Sequence, residues 1–268
     1  MNKVFETGNL QHTANTFLMF VVSNLVSAKT VLRDYKPEAA YEGDVVNVQF
    51  PRPFSTAHDK QPGPRLPCPL NYWTTVSFLV NPADREKAFG DITNEYIEPA
   101  AIAMAESLDR YVLFNMATQA QHRRGTPGRG FEFPGDLGQQ TLIVNPGAQA
   151  DLVIDARFEP TRRERDGTAW DHAALSGEQI FMDQSCPGVL ITHVDENEQI
   201  GDISLMFDPE GAAIACRPLP VEGGLISAFS GLAVRVRVEE VEDGADRVTF
   251  DMLTGVVVIP ELVTAIYS

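Results

Sequence analysis

The sequence predicts an α+β fold with one long helix, a stiff hairpin arm and a second region of short mixed elements. Three observations carry this prediction. Residues 91–118 hold a long helical pattern, two β-alternating runs flank a proline-rich stretch across 43–80, and after residue 138 the chain breaks into brief apolar runs separated by turns.

The elements follow in chain order. Across 13–33 the apolar residues Phe17, Val21, Leu25, Val26 and Leu32 recur at roughly helical spacing, which predicts an N-terminal helical arm. Residues 43–50 alternate, with Val46, Val48 and Phe50 on one face, and end at Pro51 and Pro53. Six prolines lie between Pro51 and Pro69 inclusive, and a second alternating run follows at Tyr72, Thr74, Val76, Phe78 and Val80. Two strands joined by a proline-rich tip predict an extended hairpin, and long loops of this kind are usually functional or disordered.

Residues 91–118 would make a helix about 42 Å long at 1.5 Å per residue. Asp91 can cap it, and Glu95 and Glu98 sit near the positive end of its dipole. Ile92, Tyr96, Ala100, Met104, Leu108 and Tyr111 form one apolar stripe on a helical wheel, with Glu95, Glu98, Glu106 and Asp109 opposite. Ile102, Leu113 and Met116 fall on that acidic side and are candidates for contact with a second subunit. Pro99 should kink the helix or start it anew.

The glycine- and proline-rich residues 119–138 read as a linker. Beyond it, Thr141–Val144 is a buried strand, and Asn145-Pro146 is a plausible helix start. Short strands are expected at Phe181–Met182, Ile203–Phe207 and Ala212–Cys216. A longer one at Leu232–Val238 sets Val234, Val236 and Val238 against Arg235 and Arg237. Residues 247–267 supply two more strands parted by Pro260.

Composition excludes several functions. With 268 residues and a net charge of −16, the chain as a whole would repel phosphate, so it is no nucleic-acid gripper. Hydrophobic residues at 44% and charged residues at 22% are globular values, and roughly three quarters of the unfolded chain's surface can be buried at this size. Cys68, Cys186 and Cys216 are too few and scattered for a disulfide framework, which points to a reducing compartment. The longest early apolar run, Phe17 to Val22, is too short to span a membrane and lacks a cleavage pattern, so a cytosolic origin and no membrane partner are expected.

Enzyme signatures fail in turn. There is no G-x-S-x-G, no phosphate loop, no H-E-x-x-H and no C-x-x-C, so no catalytic, cofactor-binding or metal-ligating residue is assigned. His12, His58, His122, His172 and His193 are scattered; His193-Val194-Asp195-Glu196 comes nearest to a metal cluster without matching one. Arg123, Arg124 and Arg129 among Gly125, Gly128 and Gly130 could cradle an anion or form a solvated loop. Arg157, Arg162, Arg163 and Arg165 make a second basic patch, while Asp195–Asp202 and Glu239–Asp246 read as solvated acidic turns without EF-hand spacing.

Six ordered pieces carry a resemblance: LVSAKTVLRDY, GDVVNVQFPRPF, FGDITNEYIEPAAIAMAESLDRYVLFNMA, LIVNPGAQADL, ISLMFDPEGAAIACRPLP and DRVTFDMLTGVVVIPEL. In this order they resemble the major capsid proteins of tailed double-stranded-DNA bacteriophages. The nearest branch is the coat-protein family of the short-tailed Salmonella phage, with the Hong Kong phage-type capsid fold. The resemblance implies an N-terminal arm at 1–38, an E-loop hairpin region at 39–88, and a peripheral domain with spine helix and linker at 89–137. It further implies an axial domain at 138–245 and terminal strands at 246–268 that return to the peripheral domain. The extra domain inserted in the type member of that branch has no room here.

By that resemblance the chain would be a structural protein of the virion, assembled in the host cytoplasm as pentamers and hexamers of an icosahedral shell. A scaffolding protein and a portal would be partners, and DNA would be enclosed without sequence-specific binding. Phe50, Pro51, Pro53, Phe54, Tyr72 and Trp73 flank the arm and are candidate anchors against a neighbour, since aromatics are enriched at interfaces. An isopeptide crosslink has no positional match. The competing readings are an encapsulin-like compartment shell and a soluble acidic α+β enzyme or ligand-binding protein.

Overall fold

A computed structural model describes residues 7–35, 40–50, 65–84, 87, 89–126, 129–130, 140–144, 169–170, 179–182, 203–220, 224–241 and 244–267. The chain divides into two compact units. The first gathers Met1–Leu25, Arg33–Leu108 and Ile214–Val257; the second gathers Val26–Leu32, Asp109–Ala213 and Val258–Ser268.

In the first unit, α1 (Thr7–Asn24) begins earlier and ends sooner than its periodicity predicts. Asn24 closes it by turning its side-chain amide back to the Phe20 carbonyl at 2.8 Å, the local bond that lets asparagine compete with helix propagation. A short helix, α2 (Ser27–Thr30), which belongs to the second unit, and a strand, β1 (Leu32–Tyr35), replace the rest of the expected helix. The apolar face of α1 buries Leu10, Ala14, Phe17, Leu18 and Val21, and Phe17 stacks on Phe250 with ring centroids 3.9 Å apart.

Phe250 belongs to β13 (Asp246–Val258), the backbone of a six-stranded sheet. Its order is β1, β10 (Ala212–Arg217), β13, β12 (Leu232–Glu240) and β11 (Leu225–Phe229), and β4 (Tyr72–Val80) also pairs with β13. Register runs antiparallel from Asp246↔Val80 to Thr254↔Tyr72 on one side, and from Arg235↔Asp251 to Glu240↔Asp246 on the other.

That pairing corrects the predicted hairpin. β2 (Val45–Gln49) does not pair with the Tyr72–Val80 run but with β3 (Arg65–Pro69), inside the proline-rich stretch. The Leu70 amide donates to the Asp44 carbonyl at 2.8 Å, so Leu66 and Cys68 also turn their amides toward β2. Pro67 and Pro69 therefore occupy outward positions, where a missing N–H costs no ladder bond.

The long helix also departs from a single rod. It starts as α3 (Phe89–Ile92), widens to a π-turn at Thr93–Ile97, and continues as α4 (Glu98–Gln119). Pro99 explains this: it has no amide for the Glu95 carbonyl and its ring crowds that position, and the Glu98 amide instead reaches back five residues to the Thr93 carbonyl. The expected restart at the proline is thus observed.

In the second unit the sheet order is β5 (His122–Gly125), β14 (Val263–Tyr267), β9 (Ile203–Phe207), β6 (Thr141–Val144), β8 (Gln179–Met182) and β7 (Ala169–Trp170). All residues of β6 and β9 are buried, as continuous apolar runs require. β5 lies within the segment expected to be linker, because pairing with β14 supplies what its sequence alone does not signal. The terminal strands part company: β13 joins the first sheet and β14 the second.

Candidate assembly surface

The candidate surface begins with the strand period of two. Register puts Arg235, Asp251, Thr75 and Trp73 on one face of the first sheet, opposite the face that receives α1. Arg235 and Asp251 are buried, 2% and 1% exposed, and form an ion pair through Arg235 Nη2 and Nε. Arg237 Nε donates to the same carboxylate oxygen at 3.1 Å. The Thr75 hydroxyl donates to the other oxygen at 2.8 Å and the Trp73 indole at 3.3 Å.

Asp251 therefore accepts from four side chains. Burial pushes its carboxyl up, but the hydrogen bonds from Arg235 and Thr75, with the charges of Arg235 and Arg237, outweigh burial and hold it below the usual carboxylate value. Arg235 Nη1 has no hydrogen-bond partner among the described residues, so the buried guanidinium is incompletely satisfied. Around this centre the surface is open and mixed: Trp73, Leu79 and Ile226 are each nearly half exposed, and Thr75, Ser77, Glu239 and Arg247 on the same face are exposed too.

The hairpin base lies against β13. A Cβ on Gly255 would run into the Pro69 carbonyl oxygen and would stand 3.0 Å from Cys68 Sγ, so only glycine permits this approach. Phe50 is buried at this base, 1% exposed, so it is a packing residue and not an open anchor. Tyr72 is half-buried and shares a 2.6 Å hydrogen bond with the Ser107 hydroxyl. Trp73 remains exposed, and Pro51, Pro53 and Phe54 lie outside the described residues.

The helix candidates need correction. Leu113 and Met116 are 2% and 0% exposed, so neither lies on a solvent face; Ile102 is intermediate and Phe114 is the exposed large hydrophobe of α4. The buried set advances in steps of four, through Ala100, Met104, Leu108, Val112, Met116 and Ala120, with Ala101, Ala105, Leu113 and Ala117 beside it. Each step of four residues turns about 40° past a full revolution. The buried stripe therefore winds around the helix, and a single fixed wheel face misassigns its second half.

Asp109, expected on the acidic face, is also buried. Its carboxylate accepts from the Val26 and Ala28 amides, each at 2.8 Å, and from the Ser27 hydroxyl at 2.6 Å, taking up donors at the start of α2. Where β4 leads into α3, Lys87 bridges Asp84 at 3.0 Å and Glu95 at 2.6 Å, and the Tyr96 hydroxyl donates to Asp84 at 2.9 Å. The bond from Lys87, followed by that from Tyr96, holds the Asp84 carboxyl below its usual value.

Cys68 and Cys216 are both buried thiols, and burial pushes that of Cys216 up to about 12, which keeps it protonated and unreactive. Cys186, the Arg157–Arg165 patch, the Asp195–Asp202 cluster, His58, His172, His193 and the Asn145-Pro146 helix start lie outside the described residues. Asp109 and Asp251 escaped the sequence reading. Helical spacing put Asp109 on the acidic face, and the signal at Asp251 was a carboxylate set between apolar neighbours, Phe250-Asp251-Met252.

No family model and no curated protein sequence matches this chain. Solved structures do. A virus-like particle from Pyrococcus furiosus superposes with a TM-score of 0.55 at 11% identity, covering 96% of this chain and 98% of that one. The capsid of the cyanophage P-SCSP1u gives 0.53 at 10% identity over 91% and 88%, and the capsid of an empty GTA particle gives 0.50 at 12% over 90% and 88%. Its fold is the one found in these capsids. At such identities the shared property is the path of the chain and not any set of aligned side chains.

Proposed function

We propose that this chain is a structural major capsid protein that self-assembles into the icosahedral shell around a phage double-stranded-DNA genome. The observation that carries the reading is the match to capsid subunits along nearly the full length of both chains. The resemblance of six ordered sequence pieces to the coat-protein family of the short-tailed Salmonella phage supports it independently.

In this reading the β2–β3 hairpin, with residues 51–64 beyond it, is the E-loop, α3 to α4 is the spine helix, and copies associate as pentamers and hexamers. Prolines in the loop lower the entropy lost when it orders at an interface. Trp73, with Leu79 and Ile226 near it in exposure, and Ile102 and Phe114 on α4, are the contact residues this reading favours. With −16 per copy, repulsion acts across a Debye length of about 8 Å at physiological salt, so contacts form through short-range burial and local ion pairs. Assembly is then salt-sensitive, and a basic scaffolding protein and a portal are the expected partners. The same charge keeps packaged DNA from adhering to the inner wall.

The test is to express the chain alone and with a scaffolding partner and to image the products by electron microscopy. Shells tens of nanometres across are expected, and monomers or dimers under every salt and scaffold condition would overturn the reading. Nuclease-protected DNA in mature particles distinguishes a virion from a cargo-holding compartment, in which a copurifying protein would take its place. Replacing residues 51–64 with a short glycine-containing turn should leave β2 and β3 paired and the subunit folded, yet abolish shells. Normal assembly of that variant would remove the loop from the mechanism.

A further inference from the structure

Among the described residues, β5 is the end strand of the second unit's sheet. It pairs in parallel with β14 on one side, from Thr264↔His122 to Tyr267↔Gly125, and all four of its residues are exposed. Arg123 and Arg124 are adjacent, so the strand period sets one guanidinium on each side of the strand. The chain then turns, with the Arg129 amide donating to the Thr126 carbonyl at 3.1 Å, and Arg129 is exposed as well. Gly125 fixes the strand's end: its φ is 79°, and a Cβ there would meet the Tyr267 carbonyl. Three arginines and a histidine within residues 122–129 are a local reversal of sign in a chain of net charge −16.

An open strand edge is a template for pairing, and charges on it ordinarily prevent that. Here the sign decides the outcome. A cationic edge repels another copy of itself, but in a population of strongly acidic chains it attracts nearly everything else, so the charge selects a partner instead of blocking all of them. DNA is the weaker candidate, since its affinity comes from neutralising phosphates and this edge offers three arginines on a chain whose net charge repels them.

We infer that the β5 edge docks an acidic extended segment of a second copy of this chain, by strand addition with Arg123, Arg124 and Arg129 supplying the charge complement. Because β5 cannot pair favourably with β5, the contact joins two different parts of the chain, which suits a head-to-tail ring as well as a reciprocal pair. This inference rests on the shell reading for its biological setting but not for its test.

The test is sedimentation of the purified chain across concentration at low and high salt, with hydrogen exchange of the β5 amides. Wild type should self-associate most strongly at low salt, with exchange at residues 122–125 slowed by about tenfold or more on association. Arg123→Glu with Arg124→Glu should weaken association by about tenfold or more, while Arg123→Lys with Arg124→Lys retains most of it. Arg123→Gln with Arg124→Gln serves if the glutamate pair misfolds, and should give an intermediate loss. Equal association of all variants, or unchanged exchange at β5, would overturn the inference. So would binding of a short DNA duplex that disappears in the glutamate variant while self-association persists. Association through β5 without shells would retain this inference and sink the shell reading; shells that form equally well from the glutamate variant would do the reverse.

Discussion

One face of the first unit's sheet lies under α1, and Val234, Val236, Val248 and Phe250 on it are fully buried. The opposite face of the same strands carries Arg235, Thr249 and Asp251 at its centre, also buried, with Trp73, Leu79 and Ile226 exposed beside them. The difference lies in what covers each face. A helix from the same unit provides apolar surface, so one face needs only shape and burial. The other must satisfy two guanidiniums and a carboxylate with one another and with Thr75, Trp73 and Glu239, and it leaves a rim of mixed apolar and polar side chains exposed.

Removing the charge balance should break this contrast most severely. Asp251→Ala leaves Arg235 buried without its counter-ion, and a loss of about 3–5 kcal/mol is expected in urea unfolding of the unassembled chain. Replacing both partners with apolar residues, Arg235→Met and Asp251→Leu, should recover most of that loss. The sign of the pH dependence follows from the lowered carboxyl. Its stabilisation is fully present above the ordinary unfolded value of about 3.9 and is lost as pH falls through the lower folded value. Asp251→Ala should flatten that acid limb, and an unchanged limb would remove Asp251 from the acid response.

The helix-covered face should yield less steeply. Phe17→Leu removes the stack on Phe250 but keeps an apolar filler, so about 1–3 kcal/mol is expected by the same measurement. A loss as large as that of Asp251→Ala would mean that the two faces are equally intolerant. The smallest effect on the subunit is expected at the exposed rim: Trp73→Ala should alter unfolding by about 1 kcal/mol or less, given that it forfeits one 3.3 Å indole bond to Asp251. Its effect should instead appear in the yield of assembled particles, and an unaltered yield would exclude Trp73 as a contact residue.

Much of the secondary structure was legible locally. β4, β6, β9, β13 and β14 fall where alternation or apolar runs put them, and Pro99 marked the restart of the long helix because a missing amide acts within one turn. The candidate surface was less so. Trp73 is exposed, whereas Phe50, Leu113 and Met116 are buried, since one residue's exposure depends on what the rest of the chain lays over it.

The sequence by itself determined the α+β class, the acidic charge, the proline-rich arm and the period of most strands, because each is a property of neighbours along the chain. Only the tertiary structure decided that β2 pairs with β3 instead of β4, that β13 and β14 enter different sheets, and that Asp109 and Asp251 are buried acceptors. Strand partners and buried charges are settled by contacts between residues far apart in sequence, such as Asp109 with Ala28 or Asp251 with Thr75, and no local pattern encodes which distant group completes a bond.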